Sequence, residues 1–190
     1  MNLKGLVSVA VISIILSGCT NNEPPDDIVS EYIDAAINGN LNKIEEVSSE
    51  YHKISVRSQV ISCIGSHIKE YPDFIQELRT AVSNIHKVRE KNIAKQKFYT
   101  DVLDAGDEEL VRECTKYSFY ERSPITDYEI LETKVSKIND KEVIEILVKT
   151  IYKDNNTKWF KFSLIKDPEY GWKINHILLK MRTNFNQFNM

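Results

Sequence analysis

Apolar residues recur at helical spacing through the first two thirds of this chain and at strand spacing through the last third, with the change of period just after Pro124. Ile28, Val29, Tyr32, Ile33, Ala36 and Ile37 predict a first helix, and Asn38-Gly39-Asn40 stops it, Gly39 supplying the left-handed conformation that helix ends favour. Asp26 or Asp27 is placed to cap its start. Leu41, Ile44 and Val47 predict a shorter second helix, so the two make a helical hairpin. Residues 55–118 also read as mostly helical. Val60, Ile61, Ile64 and Ile68 form one stripe, with Cys63 at its edge, and Pro72 ends it. Phe74, Leu78, Val82, Ile85 and Val88 form a second stripe. The polar stretch Arg89 to Lys97 is either an exposed helical face or a break, and Phe98, Val102 and Leu103 resume the pattern. Gly106-Asp107 stops one helix and caps another, whose buried face carries Leu110, Val111, Cys114 and Tyr117.

Beyond Pro124 four alternating runs predict strands over Tyr128 to Ile138, Val143 to Tyr152, Trp159 to Ile165 and Trp172 to Met181. Asn139-Asp140, Asp154-Asn155-Asn156 and Asp167-Pro168 with Gly171 separate them as turns. The simplest arrangement is an α+β domain: helices covering one face of a four-stranded antiparallel meander.

The amino terminus reads differently. Lys4 precedes an apolar run from Gly5 to Leu16 that ends in Ser17-Gly18-Cys19. The run is shorter than the ~20 residues a spanning helix needs, and Asn21, Asn22 and Glu23 close it off. These are the parts of an export signal. Leu16-Ser17-Gly18-Cys19 resembles a bacterial lipobox, which implies cleavage after residue 18 and a lipid on Cys19. The expected organisation is a signal peptide at 1–18, a lipidated tether at 19–27, one domain at 28–181 and a loose tail at 182–190. The resemblance further implies a cell-envelope location, and Thr20 rather than Asp after Cys19 implies the outer membrane, facing the periplasm, in a Gram-negative host.

Three cysteines are an awkward number for an exported protein. Lipid on Cys19 leaves Cys63 and Cys114 either bridged, in an oxidising compartment, or as two buried thiols. Removing residues 1–18 takes away one base and no acid, so the mature chain has a net charge of −4, which argues against nucleic acid as a partner. Six glycines argue against a Gly-rich phosphate loop, and no cofactor is expected.

A helical hairpin first, a curved antiparallel meander last, and Gly171-Trp172-Lys173-Ile174 in the closing strand make the chain similar to the NTF2-like superfamily, more narrowly to small bacterial lipoproteins of the DUF4878 type. The likeness covers Ile28 to Val47 and Tyr128 to Ile177. It implies an NTF2-like cone, here with an enlarged helical region of about 60 residues between hairpin and sheet.

Candidate chemistry is sparse. His52, His67, His86 and His176 fall at no metal-ligand spacing, and Cys63 with His67 is the nearest thing to a pair, so no metal is expected. Gly65-Ser66 lacks a nucleophile frame. Tyr152, Phe160, Phe162 and Trp172, with His176 in register with Trp172, Ile174 and Leu178, are the candidates to line a pocket in the cone, unless they are simply core. The expected function is a non-enzymatic, lipid-anchored envelope protein that binds a protein or a small apolar ligand. The alternatives are an immunity-type lipoprotein that blocks a toxin, and an enzyme using His176.

Overall fold

A computed structural model of the protein describes residues 23–105, 109–119, 124–138 and 141–180. The expected signal and Cys19, the tether as far as Asn22, the Gly106-Asp107 stop, the Asn139-Asp140 turn, the side chain of Tyr117 and the tail from Met181 lie outside the described residues. Among the described residues six α-helices precede four strands: α1 Pro25–Asn38, α2 Leu41–Glu46, α3 Glu50–His67, α4 Pro72–Val82, α5 Val88–Ala105, α6 Glu109–Phe119, β1 Ile125–Ile138, β2 Lys141–Tyr152, β3 Thr157–Asp167 and β4 Gly171–Lys180. The strands form one antiparallel sheet in the order β1-β2-β3-β4, and a single large cluster of buried side chains joins the sheet to the helices. The α+β meander expected from the change of period is the architecture observed.

The start of α1 differs from expectation. Pro24 is the N-cap and makes no side-chain cap, while Pro25 opens the helix three residues early. Proline suits that position because its missing N–H would be unpaired there in any case. Asp26 and Asp27 sit inside the first turn, where the helix dipole favours acids. Asp26 turns to the sheet instead, and Thr133 Oγ1 donates to its Oδ1 at 2.9 Å. At the other end Gly39 adopts φ 70°, and the N–H groups of Gly39 and Asn40 donate to the carbonyls of Ala36 and Ala35. Asn40 then caps α2, its side chain accepting from the Lys43 N–H.

The apolar stripe from Phe74 to Val88 also differs from expectation. It is two helices, with a break over residues 83–87. Ser83 Oγ donates to the Thr80 carbonyl and closes α4 locally, a competition with helix hydrogen bonds that serine favours. Val88 therefore starts a new helix and stands exposed rather than extending the buried face. Arg89 to Lys97 is helical and lies within α5, mostly in its first half.

Several contacts tie the helical region together. Cys63 of α3 and Cys114 of α6 form a disulfide. Arg57 of α3 donates to Glu45 of α2 at 2.8 Å and also pairs with Asp104 of α5. Gly65 of α3 packs on the Tyr99 ring of α5. In the sheet, Ile144, Ile146, Val148, Thr150 and Tyr152 of β2 alternate to the buried side as predicted. Register shifts occur near Ile125 and Ile130 against β2, and at Ser163/Leu164 against β4, and such bulges bend a sheet. The outer edge of β4 is not left bare at Ile174, whose N–H donates to Val47 O and whose carbonyl accepts from Ser49 N–H.

Candidate functional site

The bulge in β4 decides where the candidate residues go. Leu164 is opposite Ile174, but Ser163 is opposite His176 and Phe162 is opposite Ile177. One extra residue in β4 resets the alternation. His176 therefore leaves the set of Trp172 and Ile174 in which a strict period of two would place it, and Ile177 takes the core position against Phe162. Leu178, expected on the same face, is 48% exposed. His176 is half-buried, its Nδ1 3.4 Å from Asn175 Nδ2, and Asn175 Oδ1 accepts from Ser49 Oγ at 3.1 Å.

The four aromatics are spread along the sheet. Phe162 is 0% exposed and meets the Tyr32 ring edge-on at 5.9 Å. Phe160, opposite Val148, is half-buried against the core. Trp172 is buried near the far end of β4, opposite Lys166, whose ammonium lies 5.7 Å from the ring centroid. Tyr152 is buried at the other end, packed with Ile125 and Ile37, with Lys158 5.5 Å from its ring. Carrying the register across β3 puts Trp172 about ten strand positions from Tyr152, roughly 30 Å along the sheet. The structure thus brings Phe160 and Phe162 together with the core and separates Tyr152 from Trp172.

The polar cluster that the fold assembles is a different one. Tyr32 of α1 and His52 of α3 are both buried, and Tyr32 Oη lies 3.1 Å from His52 Nε2. Ser49 caps α3, accepting from the His52 N–H at 3.3 Å, and the same hydroxyl reaches Asn175. The helix cap, the β4 bulge and the buried histidine are therefore one connected neighbourhood. Burial holds the His52 pKa down to about 4, helped by repulsion from a charge on His176. Burial also raises Tyr32 far above its ordinary value. Both groups are consequently neutral near pH 7, and the pair is an uncharged hydrogen bond inside the core. Its chemistry suits fixing α1 against α3 better than exchanging protons with solvent. Spacing could not have found it, because the partners are twenty residues apart on different helices and meet only through tertiary packing.

No protein-family model matches the chain, and no curated protein matches it. Among solved structures it is similar to a Campylobacter jejuni protein described as a candidate NTF2-like transpeptidase, at 12% identity, over 81% of this chain and 99% of that one, with a TM-score of 0.40.

The remaining candidates resolve simply. Cys63 is bonded to Cys114, so it is no ligand beside His67, which instead lies 3.4 Å from Glu70. Among the described residues no group of three or more His, Cys, Asp or Glu is placed to hold a metal ion. Among the same residues no helix is long and apolar enough to cross a membrane. Glu145 is half-buried and paired with Lys161 across β2 and β3.

Proposed function

We propose that this chain is an exported lipoprotein with an NTF2-like domain, held in the cell envelope by lipid on Cys19, and that it works by binding a partner protein rather than by catalysis. Two features support the envelope. Leu16-Ser17-Gly18-Cys19 ends an export-like segment, and the other two cysteines are joined across α3 and α6, a pairing that an oxidising compartment sustains. The order of elements, helical hairpin first and antiparallel meander last, supports the NTF2-like reading.

One observation carries the choice of a protein over a small apolar ligand. The aromatics that would line a ligand cavity are used up in packing: Phe162 and Trp172 are core, and Tyr152 belongs to a separate buried cluster. Recognition then falls to the outer surface, as it would for a toxin-blocking lipoprotein.

The anchor is tested by metabolic labelling with a clickable fatty acid. Wild-type protein is expected to carry label in the membrane fraction and Cys19→Ala to carry none; label on the variant refutes the anchor. The binding mode is tested by titrating purified protein with an environment-sensitive apolar dye. Weak, unsaturable binding is expected, and a saturable one-to-one site that Phe160→Ser abolishes would overturn the preference for a protein partner.

A further inference from the structure

We propose that the first half of α5 is a second membrane contact: a basic helical segment that lies on anionic lipid and orients the tethered domain. Arg89, Lys91 and Lys95 lie in this half-helix with one acid, Glu90, while Lys87 just before it pairs with Glu90 and Lys97 just after it pairs with Asp101; the mature chain as a whole is acidic. The segment thus runs against the charge of its own protein. Every residue from His86 to Ile93 is exposed, while Ala94 and Lys95 are half-buried. The contacts that fix α5 to α3 come from its second half, through Tyr99 on Gly65 and Asp104 with Arg57, where Val102 and Leu103 are buried. Nothing in that packing requires the first half to be basic.

Two apolar side chains separate a bilayer from other anionic surfaces. Val88 is 74% exposed and Ile93 60%, and with Arg89, Asn92 and Gln96 they line one mostly apolar hollow. A hydrated anionic polymer offers nothing in which to bury them. A lipid interface takes apolar side chains below the headgroups and bases among them. Chain length adds to this, and here the inference rests on the lipid-anchor reading. The six residues from Cys19 to Pro24 span at most about 20 Å however they are arranged, so the domain stays beside the headgroups. A basic patch is also the kind of second signal that supplements an acyl anchor.

The test uses the full lipidated chain in vesicles of phosphatidylcholine alone, or with one third phosphatidylglycerol, and follows amide exchange in the peptide Val88 to Lys97. Exchange is expected to slow at least about threefold on the anionic vesicles and to recover in half-molar salt, as surface electrostatics requires. R89E/K91E should abolish the slowing while keeping the lipid label and the circular dichroism of the wild type. Equal exchange on the two vesicles overturns the proposal, and so does protection by an anionic wall polymer without protection by vesicles. Failure of the anchor is read separately, as absence of label on Cys19. In that case the unlipidated chain is offered to the same vesicles: salt-sensitive protection of α5 supports the contact, and none overturns it.

Discussion

Gly39 works at two jobs within one residue. Its φ of 70° turns the chain out of α1, and the site where a side chain would begin is filled by α6: a Cβ there would sit 2.5 Å from the Arg112 carbonyl oxygen and 2.6 Å from Arg112 Cγ. Gly39→Ala should therefore lose at least about 2 kcal/mol, combining a left-handed conformation that costs an alanine roughly 1–2 kcal/mol with displacement of a backbone carbonyl. Gly39→Asn relieves only the first part, because asparagine tolerates the left-handed region but carries the same Cβ. Urea unfolding of the two variants checks this, and wild-type stability in either would refute the close approach. Also at this scale, His52 predicts a pH dependence. Its proton is bound near pH 6.5 in the unfolded chain and near 4 in the folded one. Between those values the unfolded state holds more protons, so the contribution of neutral His52 is complete above about pH 6.5 and is lost as pH falls toward 4. The loss is on the order of 3 kcal/mol. Wild type should lose more stability than His52→Gln between pH 7 and pH 4, and parallel curves would remove His52 as the cause. Gly39 was legible in the sequence, since an Asn-Gly-Asn stop needs no partner to be recognised. Tyr32 with His52 was not, because α3 begins at Glu50, ahead of the helical region read from residue 55, and its buried face of His52, Val56, Val60 and Ile64 therefore extends beyond it.

Among elements, the strands were the most legible and their faces only partly so. Alternation in β2 predicted every buried residue from Ile144 to Tyr152. The same rule failed in β4, where the extra residue before His176 shifts the phase. Bulges leave no trace in a count of alternate residues, so a candidate built on that count inherits the error. The α4–α5 break was hidden for the opposite reason: spacing continued across Ser83 to Lys87 while the backbone did not. The bond between Cys63 and Cys114 spans 51 positions and fastens α3 to α6. Closing a loop of that length stabilises by about 4 kcal/mol in the chain-entropy model. Cys63→Ser/Cys114→Ser, or reduction of the wild type, should lower the urea midpoint accordingly, and a change below about 1 kcal/mol would show that the helices hold without the crosslink.

For the whole molecule, the distribution of buried surface predicts an order of opening. β2 and β3 are the interior strands of the sheet and carry Ile146, Val148, Phe162 and Leu164 in the core. Their amides should exchange slowest, near the global unfolding limit, and those of Val88 to Ile93 fastest among the helices. Mass-spectrometric exchange of the protein without vesicles would show this order, and early exchange of β2 would place the stable unit elsewhere. The architecture was legible at this scale because one change of period separates helices from meander. The use of the aromatics as packing was not, since a residue type that fills a core also lines a cavity.

The hydrogen bonds from Val47 and Ser49 to Ile174 set a limit on self-association. A newcomer strand seeking β4 must first break the molecule's own loop away, whereas β1 forms the other border of the sheet. Strand addition is therefore opposed at that point of β4. Two copies joined border to border through β1 would leave β4 as the outer border of each, guarded at Ile174. Growth into a continuous ribbon would therefore require that loop to be displaced in every copy.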